Sequence, residues 1–243
     1  MEWTSAVIGG KLEAIGGSGR LGNSEVMVCE ACEFEDHFLK FHPDIAVVLN
    51  VDADHMEYFK TMDHVLDSYH RFAAMATKAV IYNGDDANSC RAVQGIEGVK
   101  LLCFGMGEDN DYHACNIRHV DGRHTLYDLY YKQERLGQVK LNVPGEHNVL
   151  NSMAAVAAAI ESGCQTQRAV ESVSAFQGAG RRFEIMGTNK GVTIADDYGH
   201  HPAEIEVTLK AAKQMGYRQV WAVHQPFTYS RTAMLLDDFA RVL

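Results

Sequence analysis

The sequence has little positive charge and no long apolar run. It holds 22 Lys and Arg residues against 32 Asp and Glu residues, for a formal net charge of -10. Proteins that bind nucleic acid through general electrostatics carry basic surfaces, and a bilayer-crossing helix needs about 20 consecutive apolar residues. These deficits argue against a nucleic-acid binder and a membrane protein, so we expect any phosphate to be held by a local site.

Paired cysteines are also scarce. The chain has one C-x-x-C spacing, Cys29-Glu30-Ala31-Cys32, and its other four cysteines are scattered at 90, 103, 115 and 164. A structural zinc site usually needs a second pair, so a zinc or redox enzyme is the weakest interpretation. With no signal-peptide pattern in the sequence, the scattered cysteines predict a reduced, cytoplasmic setting.

Short apolar runs that alternate with helical patterns predict an α/β fold. Residues 25–29 and 45–49 are apolar runs of the buried, parallel-strand kind. A helical pattern over 62–77 and strands at 79–82 and 101–104 continue the alternation. The sequence therefore predicts a mostly parallel central sheet flanked by helices.

The remaining patterns complete this first domain. Three alternating runs over 112–142, separated by Asp121-Gly122 and Glu134, predict an antiparallel appendage, whose tyrosines 127, 130 and 131 we expect to serve packing. An Ala-rich helix to Glu161 and a second helix over 165–176 follow. Gly17 to Gly22 fits G-x-G-x-x-G but lacks the preceding strand, so we interpret it as a structural turn.

The run Gln177-Gly178-Ala179-Gly180 predicts a linker and a domain boundary. We expect one domain over 1–177 and a second over 178–243. Beyond the linker the patterns predict strands at 183–186, 192–195 and 219–223 and helices at 203–215 and 230–242. This alternation indicates the first half of a Rossmann-like α/β domain.

The stretch with the strongest chemical signal is Asp196-Asp197-Tyr198-Gly199-His200-His201-Pro202, preceded by Arg181-Arg182-Phe183. Apolar residues run into it, and a helical pattern starts at its proline, which favours a first helical position. The stretch therefore predicts a strand, a polar turn and a helix start. Free backbone N–H groups and the helix dipole favour an anion there.

Acids follow the two early strands. Glu30 comes directly after one run, and Asn50-Val51-Asp52-Ala53-Asp54-His55 follows the other. Open α/β sheets place ligands at the carboxyl ends of their strands. Since Mg²⁺ bridging nucleotide phosphates needs only one or two protein ligands, Glu30 and His55 are sufficient candidates, although acids after a strand are often plain loop residues.

Three motifs in this order closely resemble the Mur ligases of peptidoglycan synthesis, and among them the members that attach L-alanine. The motifs are Arg-Arg-Phe at 181, Asp-Asp-Tyr-Gly-His-His-Pro at 196 and Gln-Pro-Phe-Thr-Tyr-Ser-Arg-Thr at 225. The early segments Glu-Ala-Cys-Glu and Asn-Val-Asp-Ala-Asp-His-Met, and Gly-Glu-His-Asn-Val-Leu-Asn at 145, are similar to family segments as well.

The resemblance implies roles for ten residues. It implies that Glu30 and His55 hold Mg²⁺. His147, Asn148 and Asn151 would contact the base of ATP, Arg182 its phosphates and Asp197 its ribose. Tyr198, His200 and Arg231 would line the L-alanine and phosphate end, with His200 our guess for the base that deprotonates the amine.

The implied reaction uses ATP and Mg²⁺ to join UDP-N-acetylmuramate and L-alanine. ATP phosphorylates the sugar carboxylate to an acyl phosphate, and the alanine amine displaces phosphate. Catalysis of this kind is mainly positioning and charge neutralisation. The sequence does not indicate an oligomeric state.

The chain departs from the family pattern in two ways. Phe227-Thr228 stands where the family often has His-Arg, and no Gly-Lys-Thr or Gly-Lys-Ser occurs anywhere in the sequence, so the phosphate-cradling loop is missing. From the resemblance we expect the domain that grips the UDP sugar and the end of the last domain to be missing too. We therefore expect this chain alone to be inactive or nearly so.

Two other interpretations stay open. A sister ligase that recycles murein tripeptide uses the same acyl phosphate, and comparing L-alanine with the tripeptide as acceptor separates it. A non-catalytic nucleotide-binding module is favoured by the missing phosphate loop.

Overall fold

In the computed structural model, residues 4–120 and 123–243 are described. The chain starts with a small sheet of three strands, β1 (Ser5–Leu12), β2 (Gly17–Arg20) and β3 (Met27–Cys29). Its order is β2-β1-β3, with β2 antiparallel and β3 parallel to β1.

Two predictions for this segment are wrong in detail. The glycine run is not a turn, because Gly17–Arg20 pairs with β1, and the chain reverses before it, at Gly16 with φ 75°. The strand over 25–29 is not buried, since Met27 and Val28 are 60% and 53% exposed. Hydrophobic runs predict burial only when another element covers them, and these side chains are left uncovered.

The main sheet has six strands in chain order. They are β4 (Ile45–Val48), β5 (Ala79–Asn83), β6 (Lys100–Gly105), β7 (Tyr112–Val120), β8 (His124–Tyr131) and β9 (Glu134–Leu141). Strands β4 to β7 are parallel neighbours, whereas β8 and β9 are antiparallel. The α/β prediction is confirmed. The sheet is mixed, because the antiparallel strands continue it instead of forming a separate appendage, and the predicted Asp121-Gly122 turn lies outside the described residues.

Helices cover both faces of this sheet, and the alternation along β5 shows how. Val80 packs with Phe72 and Val93 from one side, whereas Ile81 packs with Met153 and Val156 from the other. Successive side chains of a strand point to opposite faces. The helices are α1 (Met56–Phe59), α2 (Met62–Ala74) and α3 (Ala87–Val93), then α4 (Glu146–Glu161) and α5 (Thr166–Ala175).

Tyr127 of β8 lies at the centre of the larger core. It is fully buried, and its hydroxyl lies 2.7 Å from Ser152 Oγ on α4. Ser152 in turn donates to the carbonyl of Val149 at 2.7 Å. The expectation that Tyr127, Tyr130 and Tyr131 serve packing is confirmed for Tyr127, and the rings of the other two lie against His113 and Tyr112.

The carboxyl-terminal part is less regular than predicted. It contains an antiparallel pair, β10 (Glu184–Asn189) and β11 (Val192–Asp196), and helix α6 (Pro202–Gln214). The predicted strand over 219–223 is wrong, because no strand forms there and Trp221 and Val223 are 81% and 99% exposed. A strand needs a hydrogen-bonded neighbour, and none of the described strands lies beside this segment.

The predicted final helix is divided in two. Helix α7 (Tyr229–Met234) and helix α8 (Leu236–Val242) meet at Leu235, whose ψ of 23° leaves the helical range. In the described ranges, no helix combines the length and the apolarity needed to cross a membrane.

Candidate functional site

A cleft of about 1430 Å³ lies where the main sheet, α4 and the start of α6 face one another. All five residues predicted to bind the nucleotide line it: His147, Asn148, Asn151, Arg182 and Asp197. The first three come from the start of α4, and the last two come from 31 or more positions later in the chain. The fold therefore brings together two distant motifs that the sequence connected only by resemblance.

The start of α4 is held in one conformation by its own side chains. Asn148 Nδ2 donates to the carbonyl of Pro144 at 2.7 Å, and Asn151 Nδ2 donates to Asn148 Oδ1 at 3.4 Å. Gly145 has φ 97°, and a Cβ there would come within 2.4 Å of the His147 ring. Glycine thus leaves room for the imidazole beside the cleft.

Burial lowers the pKa of His147, the positive charge of Arg182 lowers it further, and the carboxylate of Asp197 opposes both effects. The imidazole is therefore neutral near pH 7 and can accept as well as donate a hydrogen bond. A neutral ring suits contact with an uncharged base better than contact with a phosphate.

The turn after β11 has the predicted strand, turn and helix arrangement. Asp197 accepts hydrogen bonds from the backbone N–H groups of Phe183 and Gly199 at 2.8 and 2.7 Å. His201 caps α6, and Pro202 occupies its first turn. Because these contacts lock the turn, the Asp197 carboxylate is held at a defined place at the cleft wall.

The two arginines before the turn differ in their surroundings. Arg182 lines the cleft, and its guanidinium lies 3.8 Å from Glu204. Arg181 pairs with Asp196 at 3.4 Å and lies over the ring of Tyr198, 4.6 Å from its centroid. Arg182 is thus the arginine placed to meet an anion in the cleft, whereas Arg181 is engaged with local side chains.

Tyr198 and His200 lie together between two cleft-lining residues, Asp197 and His201, and do not themselves line the cleft. Their ring centroids are 5.4 Å apart, and His200 Nδ1 lies 3.1 Å from the backbone oxygen of Tyr198. Arg231 has a different partner, since its Nη2 donates to Asp54 Oδ1 at 2.9 Å. Among the three residues predicted for the L-alanine end, Tyr198 and His200 contact each other, and Arg231 contacts Asp54.

An acidic cluster forms at the loop after β4. His55 Nε2 lies 3.6 Å from Glu33 Oε1 and 3.8 Å from Asp54 Oδ2, and one ligand atom from each residue falls within 4.8 Å of the others. Two carboxylates and an imidazole are oxygen and nitrogen donors that a hard divalent cation accepts. The donor set therefore fits the implied metal.

Of the two predicted metal ligands, only His55 belongs to this cluster. Glu30 accepts a hydrogen bond from the backbone N–H of Gly9 at 2.6 Å within the small sheet. Glu33 and Asp54 stand in the same sequence motifs as Glu30 and His55 but were not predicted as ligands. Glu33 lies three residues after Glu30, and Asp54 directly precedes His55. This closeness in sequence to the predicted ligands is the signal that could have identified them.

The surroundings of Asp54 favour its charged form. Burial alone would raise its pKa, but hydrogen bonds from Arg231 and from the backbone N–H of His55 outweigh burial, and the pKa of Asp54 is lowered. The carboxylate is therefore charged at neutral pH and available to a cation.

The fold defines an α/β protein with a large cleft between the main sheet, α4 and the start of α6. Residues 18–159 match the family model of the Mur ligase middle domain, and residues 181–243 match that of the Mur ligase, glutamate ligase domain. The chain belongs to the Mur ligase family.

Curated relatives carry a more particular name. The chain is 43% identical over 238 residues to a UDP-N-acetylmuramate--L-alanine ligase of Caldanaerobacter subterraneus, covering 97% of this chain and 52% of that protein. It is 42% identical to the protein of the same name in Clostridium novyi, covering 96% of this chain and 51% of that one. The chain thus spans about half the length of the curated relatives it matches.

Solved structures agree on the fold. The UDP-N-acetylmuramate-alanine ligase MurC of Thermotoga maritima superposes with a TM-score of 0.75 at 24% identity, over 87% of this chain and 48% of that chain. A MurF ligase of the same organism, in complex with ADP, superposes with a TM-score of 0.69 at 20% identity, over 88% of this chain and 51% of that chain.

Proposed function

We propose that this chain is the nucleotide- and metal-binding part of a ligase that joins L-alanine to UDP-N-acetylmuramate at the expense of ATP. The observation that carries the proposal is the single cleft lined by residues of both motifs, with the acidic cluster's Glu33 and Asp54 at its wall. The names of relatives between 37% and 43% identical favour L-alanine as the acceptor.

The proposed nucleotide contacts follow from side-chain chemistry. The amides of Asn148 and Asn151 offer donor and acceptor atoms to a base edge, beside the neutral imidazole of His147. Asp197 accepts from the ribose hydroxyls, and the guanidinium of Arg182 donates to phosphate oxygens in a charge-assisted pair. Glu33, Asp54 and His55 would hold Mg²⁺, which neutralises phosphate charge when bound.

Two bond exchanges then make the amide. A carboxylate oxygen of the sugar attacks the γ-phosphorus, and the bond to the bridging oxygen of ADP breaks. The alanine amine attacks the resulting carbonyl carbon, loses a proton and expels inorganic phosphate. We assign the proton to His200 by the resemblance, with Tyr198 beside it, and we assign Arg231 to phosphate.

One feature of the sequence bears on what this chain does by itself. The chain contains no Gly-Lys-Thr or Gly-Lys-Ser, and backbone amides, a lysine and a hydroxyl of such a loop normally cradle the phosphates. We therefore propose that turnover needs a phosphate-binding loop in addition to the residues described here. If the cleft binds ATP without any dependence on Mg²⁺, the alternative of a non-catalytic nucleotide-binding module is favoured.

The acceptor is tested in a chimera in which this chain replaces the corresponding half of the Caldanaerobacter relative. We expect L-alanine to support ADP formation with UDP-N-acetylmuramate at least about 100-fold better than murein tripeptide does, a difference of roughly 2.7 kcal/mol in transition-state free energy. The unmodified relative is the matched control. Preference for the tripeptide in the chimera alone would show that this chain sets a different acceptor.

A further inference from the structure

Asp54 takes part in two groups of contacts at once. Its Oδ1 accepts from Arg231 Nη2 at 2.9 Å and from the backbone N–H of His55 at 2.8 Å. Its Oδ2 lies 3.8 Å from His55 Nε2, inside the cluster of Glu33, Asp54 and His55. A cation held by the cluster would therefore share this carboxylate with a guanidinium.

The side chain of Arg231 is largely buried, although the segment around it is exposed. Phe227 and Tyr229 are 77% and 99% exposed, whereas the Arg231 side chain is 14% exposed and its partner Asp54 is 30% exposed. Partly buried ion pairs are screened less than pairs on the open surface. Arg231 thus anchors α7 to the loop after β4, across 177 positions of sequence.

Asp54 is the carboxylate that both cations would share. Glu33 lies 3.6 Å and Glu57 lies 3.5 Å from the ring nitrogens of His55, whereas the guanidinium of Arg231 contacts Asp54 at 2.9 Å. A divalent ion within coordination distance of Asp54 would lie a few ångströms from Arg231, where like charges repel strongly. Both cations could be bound at the same time only if an anion such as phosphate lay between them and offset their repulsion.

We propose that Arg231 is the resident counter-cation of the Glu33, Asp54 and His55 cluster, so that a divalent ion and helix α7 compete for Asp54. This inference rests on the proposed function, because it takes the cluster as the metal site. Asp54 is then a positioning residue: it holds Arg231 in place while no metal is bound, and it releases the guanidinium toward phosphate when metal binds.

The test is titration of this chain with Mn²⁺, followed by electron paramagnetic resonance of the free ion. Arg231→Met keeps the length of the side chain and removes its charge, and we expect the dissociation constant for Mn²⁺ to fall about 3- to 10-fold. Arg231→Lys should stay near the wild type. Asp54→Asn should raise the constant by more than about 10-fold, because a charged ligand is lost.

The matched control is Arg241→Met, which removes the same charge from a surface pair with Asp238 in α8; its Mn²⁺ affinity should not change. In the double variant Arg231→Met, Asp54→Asn, the gain from Arg231→Met should disappear, because the two residues act through one contact.

Hydrogen exchange provides a second readout that does not depend on affinity. Bound Mn²⁺ should increase amide exchange over 229–234 in the wild type, and Arg231→Met should show the faster exchange without metal. If Mn²⁺ binds but Arg231→Met leaves its affinity and the exchange unchanged, the competition is wrong while the metal site stands. If the wild type binds no Mn²⁺, the proposed metal site and the proposed competition for Asp54 are both wrong.

Discussion

Replacing Tyr127 with alanine is expected to lower the free energy of unfolding by about 3 to 5 kcal/mol, the usual cost of truncating a buried aromatic residue. The ring is fully buried in the larger core between the main sheet and α4. Its loss leaves a cavity among side chains of two layers. The Ser152 hydroxyl keeps its bond to the Val149 carbonyl, so the loss of packing dominates the effect.

Two variants separate packing from the hydroxyl and from general effects of substitution. Tyr127→Phe keeps the ring and removes one hydrogen bond, so it should cost about 1 kcal/mol. Tyr229→Ala changes a side chain that is 99% exposed and should stay within about 0.5 kcal/mol of the wild type. Urea unfolding measures all three. A Tyr127→Ala variant no less stable than Tyr127→Phe would contradict the assigned core.

Replacing Arg182 with alanine is expected to weaken binding of ATP with Mg²⁺ by about 10- to 100-fold, because a charge-assisted hydrogen bond contributes roughly 1.5 to 3 kcal/mol. The side chain is 58% exposed and its nearest acid, Glu204, lies 3.8 Å away. Its loss should therefore leave the stability of the fold within about 0.5 kcal/mol of the wild type.

The neighbouring Arg181 is the matched control. It carries the same charge one position earlier but pairs with Asp196 and lies over Tyr198. Arg181→Ala should change nucleotide affinity less than about 3-fold, the scale of a distant surface charge, and Arg182→Lys should recover part of the loss. Isothermal titration of the chimera with ATP checks this. Equal losses for both arginines would mean that net charge, and no specific contact, governs binding.

Much of the fold could be predicted from local sequence. The runs that became β4, β5 and β6 are short and apolar, and the turn after β11 carries its own helix start in His201 and Pro202. Those signals need no knowledge of distant residues. The helix boundaries also fall within a few positions of the predicted ones, apart from the break at Leu235.

Several of the failures concern contacts between distant segments. Residues 219–223 have the composition of a strand, yet a strand forms only beside a partner. The Glu30 carboxylate accepts a hydrogen bond from the backbone N–H of Gly9. Arg231 donates a hydrogen bond to Asp54, which lies 177 positions earlier in the chain. No local pattern encodes such pairings. The domain boundary at 177 and the roles of the individual site residues stay predictions.

The decisive measurement is phosphate release from ATP with Mg²⁺, UDP-N-acetylmuramate and L-alanine, made on this chain and on the Caldanaerobacter chimera. We expect turnover by the chimera that requires all three substrates, and no turnover by this chain alone. Turnover by this chain at the chimera's rate would contradict the need for a phosphate loop. If the chimera is inactive while the unmodified relative turns over, the cleft described here is not a ligase site.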